Sequence, residues 1–218
     1  LEYWVKAASA STPISDIISK RPSANNAGFV VEVLGGIGYH YIHTSSGFKE
    51  LSTPLTANAW QHVALTAKAG GAMKLYLNGA LAAETSLAGV TFTPTSAVLR
   101  LMADTRAIQY YYPGSLDEVR LWNVERTCEE IKQLYNCEFA SPEPGMMAYY
   151  KFNQGVASGN NAGLTTLTDA TANGNNGTLI NFGLTGGNSN WVAPGGVTSG
   201  NIFVLPIVFP EINLKGNG

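Results

Sequence analysis

Asp117 and Glu118 stand side by side in the run GSLDEVRLWN, with Arg120 two positions on. Two carboxylates beside a guanidinium can do general acid–base chemistry, hold a metal ion, or line a charged sheet face. In an extended strand, side chains alternate between the two faces. Asp117, Val119 and Leu121 then share one face, and Glu118, Arg120 and Trp122 the other. Val119 and Leu121 read as core, so Asp117 points inward. Its carboxylate there needs backbone N–H groups, an arginine or a cation such as calcium. Glu118 and Arg120 read as a polar outer face paired with cross-strand neighbours. Glycoside hydrolysis needs two carboxylates roughly 5–10 Å apart and aimed at one bond. Neighbours on opposite faces cannot converge in that way, and Glu32 in FVVEVLGG stands alone, so the sequence predicts no catalytic site.

Other residues suit binding rather than cleavage. In MADTRAIQYYYPGS, Asp104 closes one strand, and Thr105 and Gln109 lie in the loop that follows. Calcium takes roughly six to eight oxygen ligands, usually with more than one carboxylate, and this loop is the best candidate for it. DATANGNNG places oxygen side chains on alternate residues, at Asp169, Thr171, Asn173 and Asn175, but Asn and Gly also simply favour turns. Asn176-Gly177-Thr178 matches the glycosylation acceptor pattern. Tyr110, Tyr111 and Tyr112 form the densest aromatic run. Together with Tyr39, Tyr41 and Trp60 they could stack on sugar faces, or alternate tyrosines could pack inward. His40 and His43, three apart on a strand, fall on opposite faces, and with His62 they read as structural rather than zinc ligands. A continuous helix would separate Cys128 from Cys137 by roughly 13 Å. A disulfide needs Cα atoms within about 7 Å. Bonding therefore requires the helix to end near Leu134, and two buried thiols are the alternative.

The elements that must position these residues are almost all strands. EYWVK, GFVVEVL, GYHYIHT, WQHVALTAK, MKLYLNG, AVLRLMAD and SLDEVRLWN are short apolar runs separated by Gly, Pro, Asn and Ser. MMAYYKF and TLINF add two more. Their spacing predicts an antiparallel sandwich. Asn78-Gly79 between two apolar runs predicts a type I′ hairpin. One helix is predicted near 127–135, with a capping box at Thr127 and Glu130 and an apolar stripe at Ile131, Leu134 and Tyr135.

At 218 residues the chain fits one large β domain or two small ones. Hydrophobic residues make up 45%, enough for a core, while charged residues are only 13%. An average of roughly 25% would be usual, so Ser, Thr, Asn, Gln and Gly must cover much of the surface. A net charge of −2 gives no pull towards nucleic acid or anionic lipid. No apolar run approaches the ~18 residues of a membrane helix. Two cysteines suit an oxidising compartment.

EYWVK, WQHVALT, KLYLNG, GSLDEVRLWNVERTCEEI and AYYKFNQG…TDATANGNNGTLINFGLTGGNSNWV together resemble a laminin-G-like, concanavalin A-like jelly-roll domain of bacterial secreted surface proteins. The resemblance covers residues 1–195. It is followed by a linker, and the tail FPEINLKGNG resembles the first strand of an Ig-like module, so residues 196–218 are expected to lead into a further domain. Members of the family usually begin with a Gly-Asp-containing strand ahead of EYWVK, which this sequence lacks. The resemblance implies two curved antiparallel sheets, a face able to hold a glycan, and in some members calcium at the rim. It carries the calcium positions onto Asp104 and Gln109 and implies a disulfide between Cys128 and Cys137. The expected protein is a non-catalytic, extracellular adhesion module for glycan or protein ligands. A rigid spacer in a surface filament is the second reading, and a hydrolase or its accessory domain the third.

Overall fold

The computed structural model describes residues 1–10, 13–106, 110–197 and 201–203. The expected Ig-like strand at 209–218 and the expected calcium ligand Gln109 lie outside them. Ten strands come first along the chain: β1 (Glu2–Ala7), β2 (Ser15–Lys20), β3 (Phe29–Leu34), β4 (Ile37–Thr44), β5 (Gly47–Pro54), β6 (Trp60–Ala67), β7 (Ala72–Leu77), β8 (Ala80–Ser86), β9 (Arg100–Leu101) and β10 (Gly114–Trp122). The single α-helix among the described residues, α1 (Cys128–Leu134), follows, then β11 (Glu138–Phe139), β12 (Met146–Tyr150), β13 (Thr166–Leu167), β14 (Gly177–Thr178) and β15 (Ile202–Phe203). One sheet has the order β12-β10-β1-β6-β7-β8 and the other β5-β4-β3-β2-β9. The two face each other as an all-β jelly-roll sandwich. The expected strand TLINF is reduced to the first residues of its run, since only Thr178 pairs.

Alternation builds the interior. Tyr3, Val5, Val63, Leu65, Leu75 and Val119 project from the six-stranded sheet, and Ile17, Val31, Val33 and Leu51 from the five-stranded one. His40 also faces inward, where its Nε2 lies 2.7 Å from the Tyr3 hydroxyl. Burial drives its pKa down to about 4, so it is neutral at physiological pH. At the β7–β8 turn Asn78 and Gly79 have φ of 49° and 80°, as a type I′ turn requires. A Cβ on Gly79 would sit 2.8 Å from the Tyr135 ring, so the hairpin also depends on glycine to lie against the end of α1.

The strand with the paired acids departs from simple alternation. Glu2 pairs with Arg120 and Trp4 with Asp117, so three steps along β10 oppose two along β1. The extra residue is a β-bulge, and Glu118 within it has φ +50°. The bulge brings Asp117 to the same side as Arg120, away from Val119. It therefore corrects the expected split of this strand into an inward Asp117 and an outward Glu118–Arg120 face. Nor is that outer face solvated: Glu118 and Arg120 are 2% and 0% exposed. Arg120 Nη2 donates to Glu118 Oε2 at 2.7 Å and to the Cys137 carbonyl, and Nη1 to the Leu134 carbonyl at 3.4 Å. The Tyr149 hydroxyl donates to the same Glu118 oxygen at 2.5 Å. Asp117 is met by the N–H groups of Gly196 at 2.7 Å and Glu118 at 3.0 Å. Backbone amides, one of the three partners the sequence left open, thus meet its carboxylate.

These contacts fasten α1 and β11 onto the sheet. Thr127 and Glu130 form the predicted capping box, and Ile131 packs on Ala64 and Tyr76. Tyr135 is still αR, and its N–H bonds to the Ile131 carbonyl. The helix thus ends at Leu134, where a bond would need it to end, yet the two cysteines are not joined. Both cysteines are free, Cys128 exposed and Cys137 half-buried, and the expected disulfide is corrected accordingly. Burial also raises the Cys137 thiol pKa.

Arginine stays charged when buried, so replacing it strands its carboxylates. Arg120→Met is expected to lose about 3–5 kcal/mol in urea denaturation; a loss below about 1 kcal/mol would show that the network is not what holds α1 down. In the native protein both thiols should react with a disulfide reagent, Cys128 faster than Cys137. Adding reductant should leave the melting temperature unchanged.

Candidate functional site

The six-stranded sheet has its outer face covered around β1 and β10. The five-stranded sheet presents an aromatic row on its own outer face. Tyr39, Tyr41 and His43 alternate along β4 on the side opposite His40. Tyr39 and Tyr41 stack with centroids 6.3 Å apart and planes 14° apart. Phe48, paired with His43 across the β4–β5 hairpin, meets Tyr41 edge-on at 5.6 Å and is 59% exposed. Tyr110 and Tyr111 lie at the far edge, where the Tyr110 carbonyl accepts from the Asp16 N–H at 2.8 Å. They are 38% and 56% exposed.

Between the aromatic row and that edge lies a charged cluster. Arg21 Nη2 contacts Asp16 Oδ2 at 3.0 Å, Glu32 Oε1 at 2.7 Å and Asp104 Oδ2 at 3.3 Å. Asp16 and Glu32 are direct cross-strand partners. Arg106 closes the cluster, with its Nη2 at 2.7 Å and Nε at 2.8 Å from Asp104 Oδ2 and its backbone N–H at 2.8 Å from Oδ1. Burial works against ionised Asp104, but Arg106 and Arg21 outweigh it and hold the carboxyl below its usual range. Asp16 goes the other way. Burial and its acidic neighbours Asp104 and Glu32 overcome Arg21 and raise it to about 6. Arg106 serves Asp104 alone, so Asp16 and Glu32 share the single Arg21 nitrogen, and Asp16 is the carboxyl that is pushed up.

Two of the three carboxylates in this cluster are closed off from solvent. Asp16 and Glu32 share one Arg21 nitrogen, close enough for a hydrolytic pair. The Asp16 side chain, however, is only 1% exposed, so no sugar oxygen reaches it. Asp104 accepts arginine N–H groups on both oxygens, which compete with calcium for it. Among the described residues no group of three or more His, Cys, Asp or Glu is arranged to hold a metal ion. Asp117, also considered for calcium, is on the other sheet. Asp169 accepts N–H groups from Tyr149, Thr171 and Asn175 and the Thr171 hydroxyl, which makes its loop a structural turn.

Several expected ligand contacts do not join the row. Tyr112 is 4% exposed and belongs to the core. Trp60 lies on the six-stranded sheet with its Nε1 donating to the Pro194 carbonyl at 3.1 Å. Same-face spacing along β4 brings Tyr39 and Tyr41 together, and cross-strand pairing adds Phe48. The sequence reading missed Phe48, His43, Asp16, Arg21 and Arg106. The i, i+2, i+4 spacing of Tyr39, Tyr41 and His43 was a usable signal for the row. Nothing local linked Arg21 to Asp104.

A family model described as the concanavalin A-like lectin/glucanases superfamily, laminin G type, matches residues 1–132. The chain belongs to this superfamily. A solved structure of a candidate carbohydrate-binding protein from Bacteroides ovatus superposes on 81% of the chain with a TM-score of 0.59 at 23% identity. The match spans half of that protein's length. The binding domain of Paraclostridial Mosquitocidal Protein 1 covers 62% of this superfamily member and 36% of its own chain, at 16% identity and a TM-score of 0.46. The botulinum neurotoxin serotype D binding domain covers 62% and 34%, at 17% and 0.43. No curated protein matches.

Because the folded-state pKa of Asp16 exceeds its unfolded value, the native state binds more protons between about pH 4 and 6. The stability this site contributes is present below pH 4 and lost as pH rises towards 6, by about 2 kcal/mol after allowance for screening. Asp16→Asn should remove that slope. Urea denaturation at pH 4 and pH 7 checks it: the variant should gain on the wild type at pH 7 relative to pH 4, and an equal difference at both would refute the assignment.

Proposed function

We propose that this domain is a non-catalytic carbohydrate-binding module that holds a glycan chain across the outer face of its five-stranded sheet. The observation that carries the reading is the aligned, half-exposed Tyr39–Tyr41 pair with Phe48 beside it. Flat aromatic surfaces receive the C–H faces of sugar rings. Glu32 and Ser52 are the cross-strand partners of Tyr39, and Asn25 and Arg106 lie in the adjoining charged cluster; these are the groups offered to sugar hydroxyls. The Bacteroides ovatus likeness supports the fold of such a module. The low charge content and the polar Ser, Thr and Asn surface support an extracellular, secreted setting on a cell surface. In that setting the domain would sit within a longer adhesion protein, beside further domains.

Arg21 and Arg106 engage the clustered carboxylates of this face, which supports a reading in which glycan binding does not depend on calcium. A protein ligand on the same aromatic row is the second reading, favoured by the exposure of Phe48. A bare spacer would leave that row without a role.

A glycan array followed by calorimetry, each with and without chelator, tests the proposal. Binding to at least one glycan class is expected, unchanged by chelator. Tyr41→Ala should weaken it about tenfold or more, with the melting temperature little altered. Loss of binding on chelation would return calcium to the loop at Asp104. Silence across the array in both conditions would overturn the carbohydrate reading.

A further inference from the structure

The aromatic row has acidic flanks. Glu50 is the cross-strand partner of Tyr41 on β5, and Glu32 is that of Tyr39 on β3. Directly opposed residues of an antiparallel pair point the same way, so both carboxylates share the outer face with the rings. Glu32 is half-buried and bonded to Arg21. Glu50 is exposed, and among the described residues it enters no ion pair. Both acids are felt at the nearer ring. Burial first, then Glu50 and Glu32, push the Tyr41 phenol up to about 12, as negative charge nearby must.

The cations on this face do not answer Glu50. Arg21 is buried and held by Asp16, Glu32 and Asp104. Arg106 places Nη2 and Nε on Asp104, and Arg100 donates Nη1 to the Asp104 carbonyl. Lys49, next to Glu50 in the chain, points to the opposite side of β5. Burial and the Arg21 charge both lower the His43 pKa, so that ring is neutral at physiological pH. Four carboxylates, Asp16, Glu32, Glu50 and Asp104, therefore face three guanidinium groups, and the unanswered one stands beside the stacked tyrosines.

That juxtaposition selects a charge. The face of a tyrosine ring is the negative part of its quadrupole and attracts a cation placed over it. A carboxylate accepts a hydrogen bond from a hydroxyl, but from an ammonium it gains an opposite charge as well. A sulfated or uronic-acid sugar would meet Glu50 and Glu32 as like charges. A neutral sugar can stack on the rings yet leaves Glu50 without a counter-ion. A sugar with a free amino group brings both the stacking face and the cation.

We propose that the glycan held on this face is an amino sugar with a free, protonated amine, whose ring lies on Tyr39 and Tyr41 and whose ammonium is received by Glu50. The proposal rests on the carbohydrate reading of the face and narrows it to one class of sugar.

Calorimetry at about pH 6 and low salt tests it with three probes of one backbone: a chitosan hexamer, its fully N-acetylated counterpart and cellohexaose. The chitosan hexamer should bind about tenfold or more tightly than the two neutral oligomers. Raising the salt to about 0.5 M should remove most of that advantage. Glu50→Gln should weaken chitosan binding severalfold and leave the neutral oligomers unchanged, with no shift in melting temperature, since the side chain is exposed and unpaired. Equal affinity for all three probes, or a chitosan preference that survives Glu50→Gln, overturns the amino-sugar assignment and leaves the carbohydrate reading standing. A hexalysine peptide that binds more tightly than the chitosan hexamer overturns it in favour of a protein ligand. Silence of all three oligomers overturns it as well, and the glycan array then judges the carbohydrate reading separately.

Discussion

An arginine cannot shed its charge on burial, and two buried arginines organise this molecule. Arg120 is 0% exposed on the outer face of the six-stranded sheet and Arg21 is 3% exposed on that of the five-stranded one. Each gathers carboxylates and carbonyls that would otherwise be unpaired, and each thereby pins a distant segment. Through Arg120 the end of α1 and the turn at Cys137 are tied to β10. Through Arg21 and Arg106 the chain after β9 is tied to β2 and β3. In a protein with only 13% charged residues, so much of that charge placed inside marks it as structural.

The two clusters have opposite consequences for function. The Arg120 network lies beneath a lid of helix and loop, flanked by Phe139 at 4.5 Å and Tyr149 at 5.5 Å from the guanidinium, so that face is closed where the lid lies. The Arg21 cluster remains at the margin of an open face, next to the tyrosine row. A sandwich has two outer faces, and with one largely covered, the other is the more open, which is why the proposed glycan site is placed there. The same fold hosts lectins and glucanases, so the distinction rests on the site. Here the carboxylates clustered near the aromatic row are engaged by arginine or buried, which favours holding over cutting.

The β-bulge at Glu118 shows how a single residue can reverse a sequence reading. Strict alternation sends Asp117 into the core and Arg120 to solvent. One inserted residue with φ +50° puts both on one side, under α1. No local pattern announces it, because DEVRL alternates as well as any strand. The tyrosine run misleads in a related way. Tyr110, Tyr111 and Tyr112 look equivalent, but Tyr112 fills the core while its neighbours turn outward.

What the sequence determined by itself was everything carried by short-range pattern: the strand-rich class, the Asn78-Gly79 hairpin, the capping box at Thr127, the α-helix that follows it, and the superfamily. These depend on contacts within a few residues, where spacing and side-chain type suffice. The tertiary structure alone decided which distant residues meet. It joined Arg21 to Asp104 across 83 positions, aligned Tyr39 and Tyr41 with Phe48, placed Trp60 on the other sheet, and left Cys128 and Cys137 unbonded. Pairing between strands far apart in the chain is set by register and bulges, which sum over the whole sheet and leave no mark on any one segment.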